Sequence, residues 1–190
     1  MSNNQINTIE KVIRIKRRKI PGFIFIVLVG SLLHFVYAWS GSSGIIGFFA
    51  PVNESVWEHL KMGYWSVILL SLIEYPKLRS AANNYFLAKT AGILALEFTI
   101  LIVYYSYTWI LDKNIFIIDI LSYILGALLC QQISSYLMRI EKFPDLIRKV
   151  GLGLLIIIGL ILGLTTYYTP HLPIFKDHNR NAYGIKESNK

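Results

Sequence analysis

The chain has 190 residues, 54% of them hydrophobic and 16% charged, with a net charge of +8. A soluble domain of this size has more charge and a lower mean hydropathy than the +0.50 found here, so an ordinary soluble fold is excluded. The positive charge does not imply a nucleic-acid partner, because the basic residues cluster at the ends of long apolar runs and form no continuous stripe.

In chain order, Met1–Ile9 is polar and is expected to be disordered. Lys11, Arg14, Lys16, Arg17, Arg18 and Lys19 then stand directly before the first apolar run. A bilayer core about 30 Å thick needs about 20 apolar residues per crossing helix. Five segments reach or approach that length: Pro21–Trp39, Glu54–Tyr75, Tyr85–Ile110, Ile115–Met138 and Val150–Tyr168. The expected fold is therefore all-α, a bundle of about five transmembrane helices. It divides into a basic segment (1–20), a membrane domain (21–168) and a tail (169–190). Lys77 and Arg79 follow the second run, and Arg139, Lys142, Arg148 and Lys149 precede the fifth. With alternating crossings these three basic groups fall on one side; the opposite short loops, Ser40–Asn53 and Leu111–Asn114, contain only Lys113, although the tail on that side carries Lys176, Arg180, Lys186 and Lys190. That asymmetry places the N-terminus in the cytoplasm and the tail outside. The single cysteine, Cys130, lies mid-run and cannot form an intrachain disulfide.

The stretch Pro51-Val-Asn-Glu-Ser-Val-Trp-Glu-His-Leu-Lys61 interrupts this apolar pattern. Much of it suits a capped helix end. Asn53 is the expected N-cap, Ser55 and Glu58 have capping-box spacing, and carboxylates favour a helix N-terminus. Glu58 and Lys61 can pair at i,i+3. The charges nonetheless continue about two turns into a helix entering lipid, where ionisable groups turn toward the bundle interior or water. On a helical wheel Glu54, Glu58, Lys61 and Trp65 share one face, and Ser55, His59 and Ser66 the next. His34 and Asp119 lie at similar depth in other spans, and His171, Asp177 and His178 follow the fifth. The expected binding set is Asn53, Glu54, Trp57, Glu58, His59, Lys61 and Asp177. Glu58 and His59 are the candidate catalytic groups. His34, Glu54, Glu58, His59 and Asp177 are candidate ligands for a divalent metal, since imidazole and carboxylate are its usual donors. No established metal-binding spacing accompanies them.

Elsewhere, Glu97 falls mid-span, where a carboxyl must be protonated or paired. Lys89 is expected to snorkel to the cytoplasmic surface, and Glu74 to meet a basic loop residue. Gly159 and Gly163 form a Gly-x-x-x-Gly that serves either packing within the bundle or a homo-oligomer in the bilayer.

The "LLHFVYAWSG" of the first span, the Asn-Glu-Ser-x-Trp-Glu-His stretch, the "IEY" ending the second and the closing "PIFKDHNRNAYGI" together resemble an uncharacterised family of small multi-pass membrane proteins of Gram-positive bacteria. The resemblance covers nearly the whole chain. It implies that His34, Asn53, Glu54, Trp57, Glu58, His59, Lys61, Asp177, Tyr183 and Gly184 match the family's pattern, and it implies no activity or cofactor. Three functions stay open: a structural or small-ligand site at the head of the second span, a metal-dependent intramembrane hydrolase acting on lipid, or a small transporter subunit.

Overall fold

The computed structural model describes residues 3–177 and 179–188, and their architecture is helical. Helix α1 (Asn3–Trp39) is followed by a one-turn helix α2 (Gly44–Gly47), then α3 (Val56–Leu78), α4 (Tyr85–Leu111), α5 (Phe116–Leu137) and α6 (Asp145–Leu164). The tail makes a short 3-10 turn (Pro173–Phe175), an antiparallel pair of two-residue strands, β1 (Lys176–Asp177) with β2 (Ala182–Tyr183), and helix α7 (Gly184–Ser188).

Four helices are long and apolar enough to cross a membrane: Gln5–Trp39 within α1, then α4, α5 and α6. Their outer faces are exposed Leu, Ile and Phe, the surface that hydrocarbon solvates. Helix α3 is as long but is not among the four. Its 23 residues include Glu58, Lys61, Glu74 and Lys77. It packs against α1, α4 and α6, and its core side chains Leu60, Tyr64, Val67 and Leu70 meet Ile26, Ile93, Leu96, Leu155 and Leu162. A helix surrounded this way can carry charge because its neighbours, not lipid, solvate it.

Several boundaries differ from those expected. Residues 3–9 of the segment expected to be disordered are helical, because α1 is continuous from Asn3 and carries Pro21 inside it, and Met1 and Ser2 lie outside the described residues. Upstream of the proline the helix is held by Ile15, buried against Leu78, Ala81, Tyr85, Ala88 and Met138. Arg14 also donates to the Ser80 hydroxyl. Helix α3 runs past Pro76 to Leu78, since a proline in the last turn removes only one backbone bond. At this end of the bundle the basic half of α1 meets the α3–α4 turn. The Asn83 and Asn84 side chains tie that turn to the α5–α6 loop through the carbonyls of Leu137, Ile140 and Glu141.

The Gly-x-x-x-Gly of α6 is filled within the chain. A Cβ at Gly159 would collide with the Tyr64 ring, and one at Gly163 with Phe48. Close approach of α6 to α3 and to the loop ahead of it requires both glycines, so each has a packing role within the chain.

Candidate functional site

The head of α3 is assembled from three directions: the loop before it, the outer end of α1, and the tail. Ser55, not Asn53, is the N-cap, its hydroxyl accepting the Glu58 N–H at 3.3 Å. Asn53 sits two residues earlier and its Oδ1 accepts the Ser55 N–H at 3.0 Å, an Asx turn that aims the chain into the helix. Glu54 therefore precedes the helix, and the wheel that grouped it with Glu58 does not apply to it.

Two polar groups result, and adjacent residues serve different ones. Glu58 and Lys61 form a buried ion pair at 2.5 Å, with side chains 3% and 0% exposed. Every polar atom of the pair is used. The Lys61 ammonium also donates to the Gly47 carbonyl and the Thr166 hydroxyl, both at 2.7 Å. The Glu58 carboxylate accepts the Val52 N–H at 3.0 Å and the Thr166 hydroxyl at 2.9 Å. Thr166 donates to one partner while accepting from the other, linking α3 to α6. Nothing in its sequence surroundings singled it out beyond a polar Thr165-Thr166 pair ending an apolar run.

One residue on, His59 points about 100° around the helix, toward α1. Its Nδ1 lies 2.8 Å from the Ser55 carbonyl, which can only accept, so that nitrogen carries hydrogen. In the neutral ring Nε2 is then left with its lone pair, 3.4 Å from the Glu54 carboxylate. The other Glu54 oxygen is 3.7 Å from His34 Nε2, and the two imidazoles stand 5.4 Å apart. His34, Glu54 and His59 each offer one donor atom, all within 4.8 Å of one another. His34 and Glu54 line an open cleft of about 630 Å³, together with Tyr37, Pro51, Asn53 and Arg180, and His59 meets it through Glu54.

The remaining expected site residues go elsewhere. Asp177 is fully buried, and its carboxylate is occupied by backbone N–H groups: Glu54 at 3.2 Å, Asn179 at 2.9 Å and Arg180 at 3.2 Å. It fastens the tail hairpin to the head of α3. Gly184, at φ +57°, lies where a Cβ would strike Thr169 and the Thr166 carbonyl, and its own carbonyl accepts from Asn53 at 3.4 Å. Trp57 donates to the Thr165 hydroxyl at 2.7 Å and packs its ring on Phe175 at 4.6 Å. Glu58 and Asp177 thus stand apart from the three converging donors. Asp119 accepts the Tyr107 hydroxyl at 2.7 Å, and His171 packs on Tyr183. His178 lies outside the described residues.

When His59 is protonated its Nε2–H donates to Glu54, and that hydrogen bond holds the Glu54 carboxyl below the usual carboxylate range. Partial burial works against it, and His34 and Arg180 add to the lowering. A carboxylate depressed on folding stabilises the protein above its unfolded value, about 4.3 for glutamate, and loses that contribution as pH falls through the lower folded value. In chelator, the thermal midpoint of Glu54→Gln should therefore decline less steeply below about pH 4.3 than that of the unaltered protein. The difference should be modest, because Glu54 is 48% exposed. Parallel acid limbs would show that these imidazoles do not hold the carboxylate.

Lys89, expected to snorkel, and Glu74, expected to meet a basic loop residue, instead meet each other. The Lys89 ammonium donates to Glu74 at 2.7 Å, with both side chains buried, so neither snorkelling nor a loop partner is used.

No curated protein and no solved structure matches this chain. A family model of unknown function does match, over residues 1–185. Because that match spans nearly every element described above, the chain belongs to the family of unknown function DUF6512.

Proposed function

We propose that this chain is a five-span protein of the bacterial cytoplasmic membrane, with its N-terminus inside and its tail outside, and that its outer end binds a divalent metal ion through His34, Glu54 and His59. The convergence of those three donor atoms within 4.8 Å, at the edge of an open cleft, carries the reading. Two imidazoles and one carboxylate are a donor set that divalent zinc and its neighbours accept, with a coordination position left for water or a small ligand. The anchoring of His59 Nδ1 on the Ser55 carbonyl adds support, since a ligating histidine is oriented by a bond from its other ring nitrogen. The cleft gives a small polar ligand access to the ion, and Arg180 at its rim favours an anionic one.

Support for α3 as a fifth span is its length, about 34 Å at 1.5 Å per residue, and the withdrawal of its charges into two ion pairs. Support for the orientation is the gathering of the basic half of α1, the α3–α4 turn and the α5–α6 loop at one end.

The test is metal content. Protein purified in detergent, stripped and then dialysed against zinc or manganese, should retain roughly one ion per chain. His34→Ala and His59→Ala should each lose most of it, while His171→Ala keeps it. Metal-free wild type after this treatment, or unchanged binding in His59→Ala, would remove the site.

A further inference from the structure

Among the described residues, five carboxyl and amino side chains are buried inside the helical part of the bundle: Glu58, Lys61, Glu74, Lys89 and Glu97. Four of them form two ion pairs. Among the described residues Glu97 has no such cation, and its buried Oε1 has no hydrogen-bond partner. It stands near the middle of α4, level with Trp57 and Leu60 in the first turns of α3. Beside it is a crevice of about 180 Å³ between α3, α4 and α6. Trp57, Leu60, Phe98, Leu101, Ile161 and Leu162 line it, and Glu97 is its one ionisable group. Phe98 and Ile161 are about half exposed on the outside of the bundle, so the crevice opens toward the lipid-facing surface.

We propose that Glu97 and this crevice form a binding site for a hydrophobic amine that enters from the bilayer. The bundle supplies one cation for each of its other two buried carboxylates, and at Glu97 the ligand supplies it. An unpaired carboxylate buried among apolar side chains is costly, so in the free site the carboxyl keeps its proton. A neutral amine accepts that proton: the carboxyl O–H bond breaks, an N–H bond forms, and the product is an ion pair inside an apolar wall. The rings of Trp57 and Phe98 favour a cation over an uncharged head group. A dry cavity of about 150 Å³ holds one benzene, so this one takes the amine head and the first part of its chain, with the remainder in lipid.

Dicyclohexylcarbodiimide provides the test, because it reacts with a protonated carboxyl in an apolar setting. The carboxyl O–H adds across one C=N bond, the proton passes to nitrogen, and the adduct rearranges to a stable N-acylurea with nothing released. In lipid nanodiscs, peptide mass spectrometry should find label on Glu97 and little on solvent-exposed Glu54. N,N-dimethyldodecylamine, which cannot be acylated to an amide, should reduce Glu97 labelling at least several-fold. Dodecanol, with the same chain and no amine, should leave it unchanged. Absence of label on Glu97 would show that the carboxyl is not available from the bilayer and would overturn the proposal. Equal protection by alcohol and amine, or protection by neither, would overturn it too. Glu97→Gln should abolish the label, and because the decisive comparison is made on the unaltered protein, a folding defect in that variant does not affect it.

Discussion

Replacing Lys61 by methionine is expected to destabilise the folded protein by about 3–5 kcal/mol, the usual cost of leaving one member of a buried pair alone. The estimate follows from how completely the site is used. All three ammonium hydrogens have acceptors: Glu58, the Gly47 carbonyl and the Thr166 hydroxyl. Methionine fills much of the volume and removes all three donors at once. Glu58 would keep the Val52 N–H and Thr166 but lose its counter-charge while 3% exposed. For a chain of this length the loss corresponds to roughly 6–20 °C in thermal midpoint. The only cysteine, Cys130, is fully buried, so a thiol-reactive dye reports unfolding directly. The double variant Glu58→Leu/Lys61→Met should recover part of the loss, because a neutral pair leaves no lone charge. Recovery should be incomplete, since the Val52 N–H and the Gly47 carbonyl remain without partners. A Lys61→Met midpoint equal to that of the unaltered protein would mean the pair contributes nothing to the fold.

The same residues show what a one-dimensional reading can reach. Long apolar runs report the helices that lipid solvates, which is why α4 and α5 match the expected Tyr85–Ile110 and Ile115–Met138 to about a residue. By contrast, α1 begins at Asn3, well before Pro21, and α6 spans Asp145–Leu164 against the expected Val150–Tyr168. The Glu58–Lys61 pair was legible too, because i,i+3 contact is a local property of a helix. Their third partner was not: Thr166 is more than a hundred residues away, and a threonine at a helix end carries no distinguishing signal. Depth along the spans correctly brought His34 near Glu54 and His59, but it could not separate residues at one depth that face different neighbours. Glu58 turns to α6 and His59 to α1, so a single expected ligand set divides into a structural pair and a three-donor cluster. Asp177 leaves that set for another reason. Three backbone N–H groups of a tight tail and the loop before α3 claim its oxygens, and backbone geometry of that kind is invisible in a residue pattern.

Neither group is isolated from the other. The loop from Val52 to Ser55 presents the Val52 N–H to Glu58, the Glu54 carboxylate to the two histidines, and the Glu54 N–H to Asp177. Glu58 of the ion pair is therefore the chain neighbour of His59 in the donor cluster, and the tail is fastened to the loop that serves both. This is the arrangement a ligand site needs, with donors held by packed elements and not by a free loop. It also explains why the functional test must use the histidines: removing Glu58 would disturb the scaffold and the cluster together.

Lys89→Met, in α4 beside the far end of α3, is expected to be the second large effect, about 3 kcal/mol or more. Lys89 is 1% exposed and Glu74 5%, and they join α4 to α3 across 15 residues of chain. The Tyr85 ring lies 5.7 Å from the ammonium, and its hydroxyl donates to the Ser71 carbonyl at 2.7 Å. The aromatic face adds to the stability of the cation. Loss of the ammonium leaves a buried carboxylate that must take up a proton or draw in water, and either route lowers the stability of the folded state. Glu74→Gln should be the milder change, since an amide can still accept from the ammonium, while Glu74→Leu should approach Lys89→Met in severity. The same Cys130 dye assay ranks them. The order expected, from most to least stable, is unaltered protein, Glu74→Gln, then Glu74→Leu with Lys89→Met. If Lys89→Met instead melted with the unaltered protein, lysine would be reaching water in solution, and α3 would lack the second of the two pairs that let a charged helix stand inside this bundle.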